Sequence, residues 1–342
     1  MEKTLLICVG CQKGGTDWLA NYFDHHPEIR GGLMKEMEVF SVHFLEQFSN
    51  YFDVKISEAE LLNAFDDPDL NMSPGAHVDR LKRQASSLRR LRELSARIPD
   101  YAAYYRELMD EPPGVDLAYD ISPNYAALTA EHWREIRGVL EAQGIACRLM
   151  LVMRDPVDRI VSAWRMARRK NARMAAARKL DAIARMRRTI RRSYFQLQMR
   201  ATGGPDAAFL NFAMDEINLL RSRYDATIRA LEEVFPAEHI HYEFFETLFS
   251  PKAIERIARF LDIGYLPAPL GARINSSPAA EPILPDSMAK LREALDPTYA
   301  FCAERFGRDR IVALWPNCCT PLKARIPGTI DAAEPMVDAS RS

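Results

Sequence analysis

The stretch Gly10-Cys11-Gln12-Lys13-Gly14-Gly15-Thr16 lies between a continuous apolar run, Thr4 to Val9, and a segment with helical spacing, Thr16 to His26. A continuous apolar run is typical of a strand buried on both faces of a parallel sheet. A glycine-rich turn between such a strand and a helix lets backbone N–H groups and the helix N-terminus face an anionic group, and Lys13 adds a full positive charge. The stretch therefore predicts an anion-binding loop within an α/β fold.

The loop departs from the two common nucleotide-binding patterns. In the pattern GxxxxGK[ST] that starts at Gly10 a lysine would stand at position 16, which is Thr16, and the pattern GxGxxG is absent. An ATP- or GTP-hydrolysing site is therefore poorly supported. The residues of the loop alone leave a plain strand-to-helix turn open as the alternative to anion binding.

The chain on either side of the loop alternates short apolar runs with amphipathic stretches, which is typical of an α/β fold with a mainly parallel central sheet flanked by helices. Further strands are predicted at Val115 to Ile121, Ile145 to Met153 and His239 to Glu243, with a crossover helix at Ala130 to Ala142. We predict one domain over residues 1–315, helical insertions at about 50–110 and 165–200, and a C-terminal tail over 316–342.

Capping residues mark several of the predicted helices. Ser57 and Glu60 have the spacing of a capping box at the start of a helix from Ser57 to Phe65. Ser250 followed by Pro251 predicts the start of a helix that runs to Leu261. Long helical stretches are also predicted at Arg80 to Arg97 and at Asp206 to Phe235.

Composition excludes several classes of protein. The 342 residues include 46 Lys plus Arg and 47 Asp plus Glu, a net charge of −1, so no overall positive field favours nucleic acid. No apolar run approaches the roughly 20 residues that span a bilayer, and the first residues leave no room for a signal peptide. The six cysteines lack the CxxC pairs of a zinc site. We therefore expect a cytoplasmic protein with reduced thiols and no metal site, in which Cys8 and Cys147 are core residues.

The loop and the segment after it resemble a known family. Lys13-Gly14-Gly15-Thr16-Asp17-Trp18-Leu19, followed by His26-Pro27, Lys35-Glu36 and Phe40, is similar to the 5′-phosphosulfate loop of sulfotransferases that use 3′-phosphoadenosine 5′-phosphosulfate (PAPS). The Lys-Gly-Gly-Thr and Lys-Glu-x-x-x-Phe forms are closer to the heparan sulfate branch than to the phenol and steroid enzymes. The resemblance implies the P-loop NTPase-like fold of these enzymes. Asp17 departs from the usual Thr or Arg.

A second motif follows the strand that ends at Met153. Arg154, at the end of that strand, can offer a two-pronged contact to a phosphate, while Asp155 caps and Pro156 opens the next helix. The run Arg154 to Trp164 resembles the family's 3′-phosphate element, in which Arg154 and Ser162 have the spacing of the two phosphate ligands. The resemblance thus implies a donor-binding set of Lys13, Gly14, Gly15, Thr16, Asp17, Trp18, Arg154 and Ser162. Arg273 and Arg308 are candidates for a further contact to the adenosine part.

The resemblance also implies the roles of two catalytic residues. Sulfuryl transfer passes through a loose transition state, by analogy with phosphoryl transfer, and needs no metal when the protein supplies the charge. Lys13 would stabilise the departing phosphate, and Glu36 matches the glutamate that accepts the proton of the acceptor. Glu38 and His43 are the fallback bases.

A strongly basic segment follows the second motif. Residues 165–192 contain 12 Lys or Arg and a single acidic residue, Asp181. A solvated helix face, an acidic glycan or lipid headgroup as acceptor, and peripheral contact with a membrane surface all remain open. The segment lacks an aromatic residue between positions 166 and 193, which makes a nucleic-acid partner the least favoured.

The sequence as a whole predicts transfer of the sulfuryl group from PAPS to a hydroxyl or amine of a small-molecule, glycan or lipid acceptor, leaving adenosine 3′,5′-bisphosphate as product. Two other interpretations stay open: a nucleotide-dependent kinase with a degenerate phosphate loop, and a non-catalytic adaptor that binds anions. The identity of the acceptor and the oligomeric state do not follow from the sequence.

Overall fold

A parallel five-stranded sheet organises the computed structural model, which describes residues 2–63, 74–180, 204–268 and 283–318. The order across the sheet is β2-β3-β1-β4-β5, and every pairing is parallel, which confirms the predicted α/β class. The strands are β1 (Thr4–Gly10), β2 (Ile29–Gly31), β3 (Leu117–Ile121), β4 (Ala146–Met153) and β5 (Ile240–Phe244). The sequence predicted four of them and missed β2, which is too short to show a periodic pattern.

Helices cover both faces of the sheet. They are α1 (Thr16–Asp24), α2 (Val39–Phe44), α3 (Tyr51–Asn63), α4 (Pro74–Ala96), α5 (Ile98–Asp110), α6 (Ala130–Ala142), α7 (Pro156–Leu180), α8 (Gly204–Ala213), α9 (Glu216–Leu220), α10 (Tyr224–Val234), α11 (Phe245–Leu248), α12 (Pro251–Leu261), α13 (Pro285–Ala294), α14 (Asp296–Phe306) and α15 (Arg308–Leu314). Within the part of the chain that is described, no helix has both the length and the apolar character to cross a membrane.

Two of the helix predictions were wrong in detail. The capping box at Ser57 does not exist, because α3 begins six residues earlier at Tyr51 and Ser57 lies within it. The helical stretch predicted from Asp206 to Phe235 is divided into three helices, and Asp215 caps α9 by accepting from the backbone N–H of Ile217 at 3.2 Å. The cap predicted at Ser250 is confirmed, with its side chain accepting from the N–H of Ala253 at 3.3 Å.

The central strand β1 has a buried face on each side. Leu5, Ile7 and Val9 join the larger apolar cluster, which includes residues of α4, α5, α6, α10 and α14. Leu6 and Cys8 join the smaller cluster, which contains residues of α1 and α12. Because both faces are covered, alternate residues face different cores and the strand is apolar throughout. Cys8 and Cys147 are buried, as the sequence predicted.

The pairing of β1 with β4 shifts where the strands end. Cys8 lies opposite Met150, but Gly10 lies opposite Leu151, so the regular register is lost. The N–H of Cys11 then donates to the carbonyl of Val152 at 2.6 Å and holds the start of the loop against β4. The loop therefore leaves the sheet at its carboxyl edge, where ligands of open α/β sheets are bound.

The last described residues pack against the sheet. The ring of Trp315 is fully buried and lies 5.7 Å from the ring of Phe244 in β5, measured between centroids. Its Nε1 donates to Glu246 Oε2 at 3.2 Å. Pro316–Cys318, the beginning of the predicted tail, form a 3-10 turn, and the rest of that tail lies outside the described residues.

We expect Trp315→Ala to lower the free energy of unfolding by about 3–5 kcal/mol, because it removes a fully buried aromatic ring and the hydrogen bond that Glu246 Oε2 accepts. Urea denaturation followed by circular dichroism measures the change. Leu284→Ala, at a side chain that is 57% exposed, is the control. A loss for Trp315→Ala no larger than that of the control would show that the C-terminal residues do not support the core.

Candidate functional site

The loop between β1 and α1 is closely packed around two glycines. The N–H of Gly14 donates to the carbonyl of Cys11 at 3.0 Å, and Gly15 precedes α1 with φ of 87°. A Cβ atom at Gly14 would lie 2.8 Å from Cys11 Sγ, and one at Gly15 would lie 2.9 Å from Leu248 Cδ2. Only glycine therefore fits at these two positions. The resulting tight loop brings its own peptide groups close to the start of α1.

Lys13 lies in this loop with its side chain half-buried. Its backbone has φ of 70°, and among the described residues the acceptor of its Nζ is Met166 Sδ at 3.9 Å, which is a weak contact. Burial lowers the pKa of Lys13; Asp17 opposes this effect, and the nearby cations Arg169, Arg154 and Lys35 add to it. The ammonium group therefore has hydrogen-bonding capacity left for a ligand.

Arg154 brings the second motif to the loop. Its Nη1 donates to the carbonyl oxygen of Lys13 at 3.0 Å, across 141 positions of sequence. Its guanidinium group lies 4.3 Å from the centre of the Phe245 ring, and its backbone carbonyl accepts from the hydroxyl of Tyr224 at 2.9 Å. Two motifs that are distant in sequence thus form one cationic site.

Asp155 fixes the start of α7 as the sequence predicted. Its Oδ1 accepts from the backbone N–H groups of Val157 at 3.0 Å and Asp158 at 3.3 Å, and Pro156 is the first helical residue. Ser162 lies two turns further along α7 and is half-buried. The same helix therefore carries Ser162 and follows directly from Arg154.

Asp17 and the segment after β2 form a group of charged residues. Lys35 donates to Asp17 Oδ1 and, at 3.4 Å, to Glu36 Oε1. Burial lowers the pKa of Lys35, but the two carboxylates outweigh this effect and the pKa is raised. The side chain of Glu36 is 40% exposed. The unusual residue Asp17 is thus the partner of Lys35.

The three predicted candidates for the base lie in different environments. Glu38 is 1% exposed, and its Oε2 accepts from Ser41 Oγ at 2.6 Å. Burial, together with the charge of Glu36, raises the pKa of Glu38 to about 8. The ring of His43 is held by its Nδ1 contact of 2.8 Å to the carbonyl of Ser95. Of the two glutamates, Glu36 has the more exposed carboxylate, and His43 is an exposed residue.

The end of β3 is held by a buried carboxylate. Asp120 accepts from Ser122 Oγ at 2.6 Å, from Tyr101 at 2.8 Å and from Tyr125 at 2.9 Å. Burial raises the pKa of Asp120 to about 6, although these donors oppose the shift. The hydroxyl of Ser122 also accepts from the N–H of Glu38 at 3.0 Å, so this network positions the segment that carries the candidate bases.

Two arginines that the sequence analysis did not assign also face this region. Arg221 donates from Nε to Asn124 Oδ1 at 2.6 Å and from Nη1 to Gln12 Oε1 at 3.5 Å. It lines a small cleft beside the loop, together with Leu45, Gln47, Phe48, Asn124, Ala127, Ile217 and Leu220. Arg159 is fully buried at the start of α7. Arg159 lies within the second motif, so the sequence offered a signal for it, whereas no local sequence pattern indicates a role for Arg221.

The remaining predicted contacts are less closely connected to the loop. Trp18 is 3% exposed and lies edge-on to Phe249, with centroids 5.2 Å apart. Arg308 is exposed at the start of α15, and Arg273 lies outside the described residues. The basic segment is described as helix up to Leu180. No group of three His, Cys, Asp or Glu side chains in the described ranges could hold a metal ion.

Comparison with known proteins identifies a family. The family model described as "Sulfotransferase family" matches residues 6–266, which is more than half of the chain. Among solved structures, the chain is similar to a sulfotransferase from Alicyclobacillus acidocaldarius, with 19% identity, coverage of 91% of this chain and 97% of that one, and a TM-score of 0.44. No curated protein matches the chain in sequence.

Two further solved structures are similar over smaller parts of the chain. The sulfotransferase domain of the Synechococcus PCC 7002 olefin synthase has 14% identity, covers 76% of this chain and 73% of its own, and has a TM-score of 0.33. The sulfotransferase domain from the curacin biosynthetic pathway has 15% identity, covers 78% and 76%, and has a TM-score of 0.35.

The buried carboxyl of Glu38 predicts a pH dependence of stability. Its pKa is 4.5 in the unfolded chain and about 8 in the native protein, so between these values the unfolded state binds fewer protons and the free energy of unfolding falls as pH rises. We expect Glu38→Gln, which keeps the shape of a protonated carboxyl, to remove a slope of up to about 1.4 kcal/mol per pH unit.

Urea denaturation between pH 5 and pH 9 measures this slope. The exposed Glu238→Gln is the matched control. Glu36, Asp120 and Arg221, the charged groups that act on Glu38 in the native protein, are kept in both variants and contribute a common background to the slope. An unchanged slope in Glu38→Gln would mean that Glu38 is ionised in the native protein.

Proposed function

The chain belongs to the sulfotransferase family, and on that premise we propose that it transfers the sulfuryl group of PAPS to a hydroxyl or amine of an acceptor. The product of the donor is then adenosine 3′,5′-bisphosphate. The proposed donor-binding residues are Lys13, Gly14, Gly15, Thr16, Asp17, Trp18, Arg154 and Ser162, and the proposed catalytic residues are Lys13 and Glu36.

The observation that carries this proposal is the contact between Arg154 and the carbonyl of Lys13 at 3.0 Å. PAPS has negative charge at both its 5′- and its 3′-position, so a protein that binds it needs two cationic groups close together. Lys13 and Arg154 supply them from the ends of two adjacent strands. The glycines at positions 14 and 15, where a Cβ atom would meet Cys11 and Leu248, allow the tight loop that leads into the N-terminus of α1, the proposed place of the 5′-phosphate.

Lys13 is proposed to neutralise charge that develops on the departing phosphate. Its half-buried position strengthens the interaction, because electrostatic stabilisation grows as water is excluded. The N–H groups at the start of α1, including that of Thr16, would hold the phosphate in place. The contact from Arg154 holds the backbone of Lys13 beside the end of β4.

Glu36 is proposed to accept the proton of the acceptor hydroxyl. A base must reach the substrate, and Glu36 is the candidate glutamate with an exposed carboxylate. Its backbone N–H donates to the carbonyl of Ile121 at 3.1 Å, and Lys35 lies beside its carboxylate. These contacts tie the base to the edge of the sheet that also carries the loop.

The acceptor is proposed to be a small molecule, a glycan or a lipid, met in the cytoplasm. Arg221 is proposed to lie near the acceptor, because its Nη1 donates to Gln12 Oε1 at 3.5 Å and Gln12 directly precedes Lys13. Part of the basic segment lies beyond the described residues, and contact of that segment with an acidic acceptor or a membrane surface stays a prediction.

Isothermal titration calorimetry with adenosine 3′,5′-bisphosphate tests the donor class without knowledge of the acceptor. We expect binding that does not require a divalent metal and that is much tighter than the binding of ATP with Mg²⁺, because the site offers cations rather than carboxylates to the ligand. Binding of ATP with Mg²⁺ in place of the bisphosphate would overturn the proposal and favour a kinase.

Lys13→Ala is expected to lower kcat by about 10²- to 10³-fold, since it removes a contact that strengthens in the transition state. Transfer of radiolabelled sulfate from PAPS to a panel of hydroxyl acceptors provides the assay. The exposed Lys252→Ala is the control. If Lys13→Ala retained the native kcat, Lys13 would have no part in stabilising the leaving group.

A further inference from the structure

The buried side chain of Arg159 has neutral partners. Arg159 is 0% exposed; its Nε donates to Ser222 Oγ at 2.6 Å and its Nη2 donates to the carbonyl of Asn218 at 2.6 Å. Its Nη1 has no hydrogen-bond partner among the residues that the structure describes. Within the described ranges no carboxylate forms an ion pair with this guanidinium group. Buried charges are usually paired, so this arrangement requires an explanation.

The pKa of Arg159 reflects its buried position. Burial lowers this pKa to about 10; the interactions with Tyr224 and Cys11 oppose the shift, and the charges of Arg221 and Arg154 add to it. The group nevertheless remains protonated at neutral pH. Among the described residues, the buried positive charge of Arg159 therefore has no carboxylate partner.

This charge lies close to the loop. Cys11 and Tyr224 are among the groups that interact with Arg159 electrostatically. The carbonyl of Cys11 accepts from the N–H of Gly14, and the hydroxyl of Tyr224 contacts the backbone carbonyl of Arg154. Arg159 is thus within electrostatic range of both parts of the cationic site. In a medium of low dielectric constant such a charge acts on a ligand that it does not touch.

We infer that Arg159 is a positioning residue whose buried charge is balanced by the phosphate group that the loop binds. This inference rests on the proposed function, because it takes the anion to be the 5′-phosphate of the donor. Arg159 then contributes through its field to affinity for the donor and to the placement of Lys13 and Arg154. The buried charge lowers the stability of the protein when no anion is bound.

A purely structural role is the competing explanation. In that case Arg159 serves to hold α7 against residues 218–222 through its two hydrogen bonds. Ser222 distinguishes the two roles, because its hydroxyl takes part in this attachment and carries no charge. The variant Ser222→Ala removes a hydrogen bond and keeps the guanidinium group.

The experiment compares Arg159→Gln, Arg159→Met and Ser222→Ala with the native chain. Calorimetry gives the Kd for adenosine 3′,5′-bisphosphate, and thermal denaturation gives the Tm of the unliganded protein. We expect both Arg159 variants to raise Kd by about tenfold or more, as loss of a desolvated charge does. The amide of Arg159→Gln retains a donor towards Ser222 or Asn218, so its Tm should stay within about 2 °C of the native value.

The reverse pattern is expected for Ser222→Ala. Its Tm should fall by about 2–4 °C, because Arg159 Nε loses its acceptor, while its Kd stays within about threefold of the native value. In turnover assays Arg159→Gln should raise KM for PAPS more than it lowers kcat. A Kd for Arg159→Gln within about threefold of the native value would overturn the inference, whatever the effect on Tm.

Inorganic phosphate separates this inference from the proposed function. If the native chain did not bind the bisphosphate, the proposed function would fail. Stabilisation of the native chain by inorganic phosphate that is lost in Arg159→Gln would then still support the role of Arg159. Equal stabilisation of the two proteins by phosphate would reject it.

Discussion

The carboxylate of Asp155 connects the parts of the chain on which the site depends. It is 1% exposed, and besides capping α7 it accepts from the hydroxyl of Tyr299 at 2.6 Å and from the N–H of Asn317 at 3.1 Å. The end of β4, the start of α7, helix α14 and the last described turn therefore meet at one side chain. Because its donors come from distant positions, the direction in which the chain leaves β4 is fixed. Arg154 and Arg159, on either side of this cap, are placed by the same contacts.

The positive charge of the site lowers the stability of the protein when no ligand is bound. Lys13 and Arg159 have lowered pKa values, chiefly because burial disfavours their charged forms. Asp17 offsets part of this charge near Lys13, but it is also bound by Lys35. A surplus of buried positive charge is what a protein needs if it is to bind an anion tightly, since the ligand supplies the missing counter-charge. The same surplus lowers stability when the ligand is absent.

The sequence was most informative where a single local pattern decides the structure. The sequence predicted the bounds of β1, β4 and α6 to within two residues. Burial of a strand on both faces gives a continuous apolar run, and burial of one stripe of a helix gives an amphipathic pattern. The caps Asp155 and Ser250 were predicted correctly. The Ser57 box was wrong, since the same spacing occurs inside helices, where it has no capping role.

The parts of the site that the sequence did not reveal depend on contacts between distant residues. Arg221 reaches Gln12 across 209 positions, and no pattern around Arg221 announces this. The difference between Glu36 and Glu38 is likewise invisible in the sequence. The two glutamates are separated by one residue, and nothing in the sequence distinguishes them. They differ in the structure because the Ser122 contact and the packing of α2 bury Glu38.

The two glutamates show how the site can contain carboxylates and still attract an anion. The pKa of Glu38 is about 8 because of burial, so at neutral pH this side chain is largely protonated and adds little negative charge beside the loop. Glu36 keeps an exposed carboxylate next to Lys35, whose positive charge reduces repulsion towards an incoming donor. The two glutamates therefore differ in role because of their environments and not because of residue type. The exposed Glu36 is available as a base, and the buried Glu38 holds its segment in place without repelling an anionic ligand.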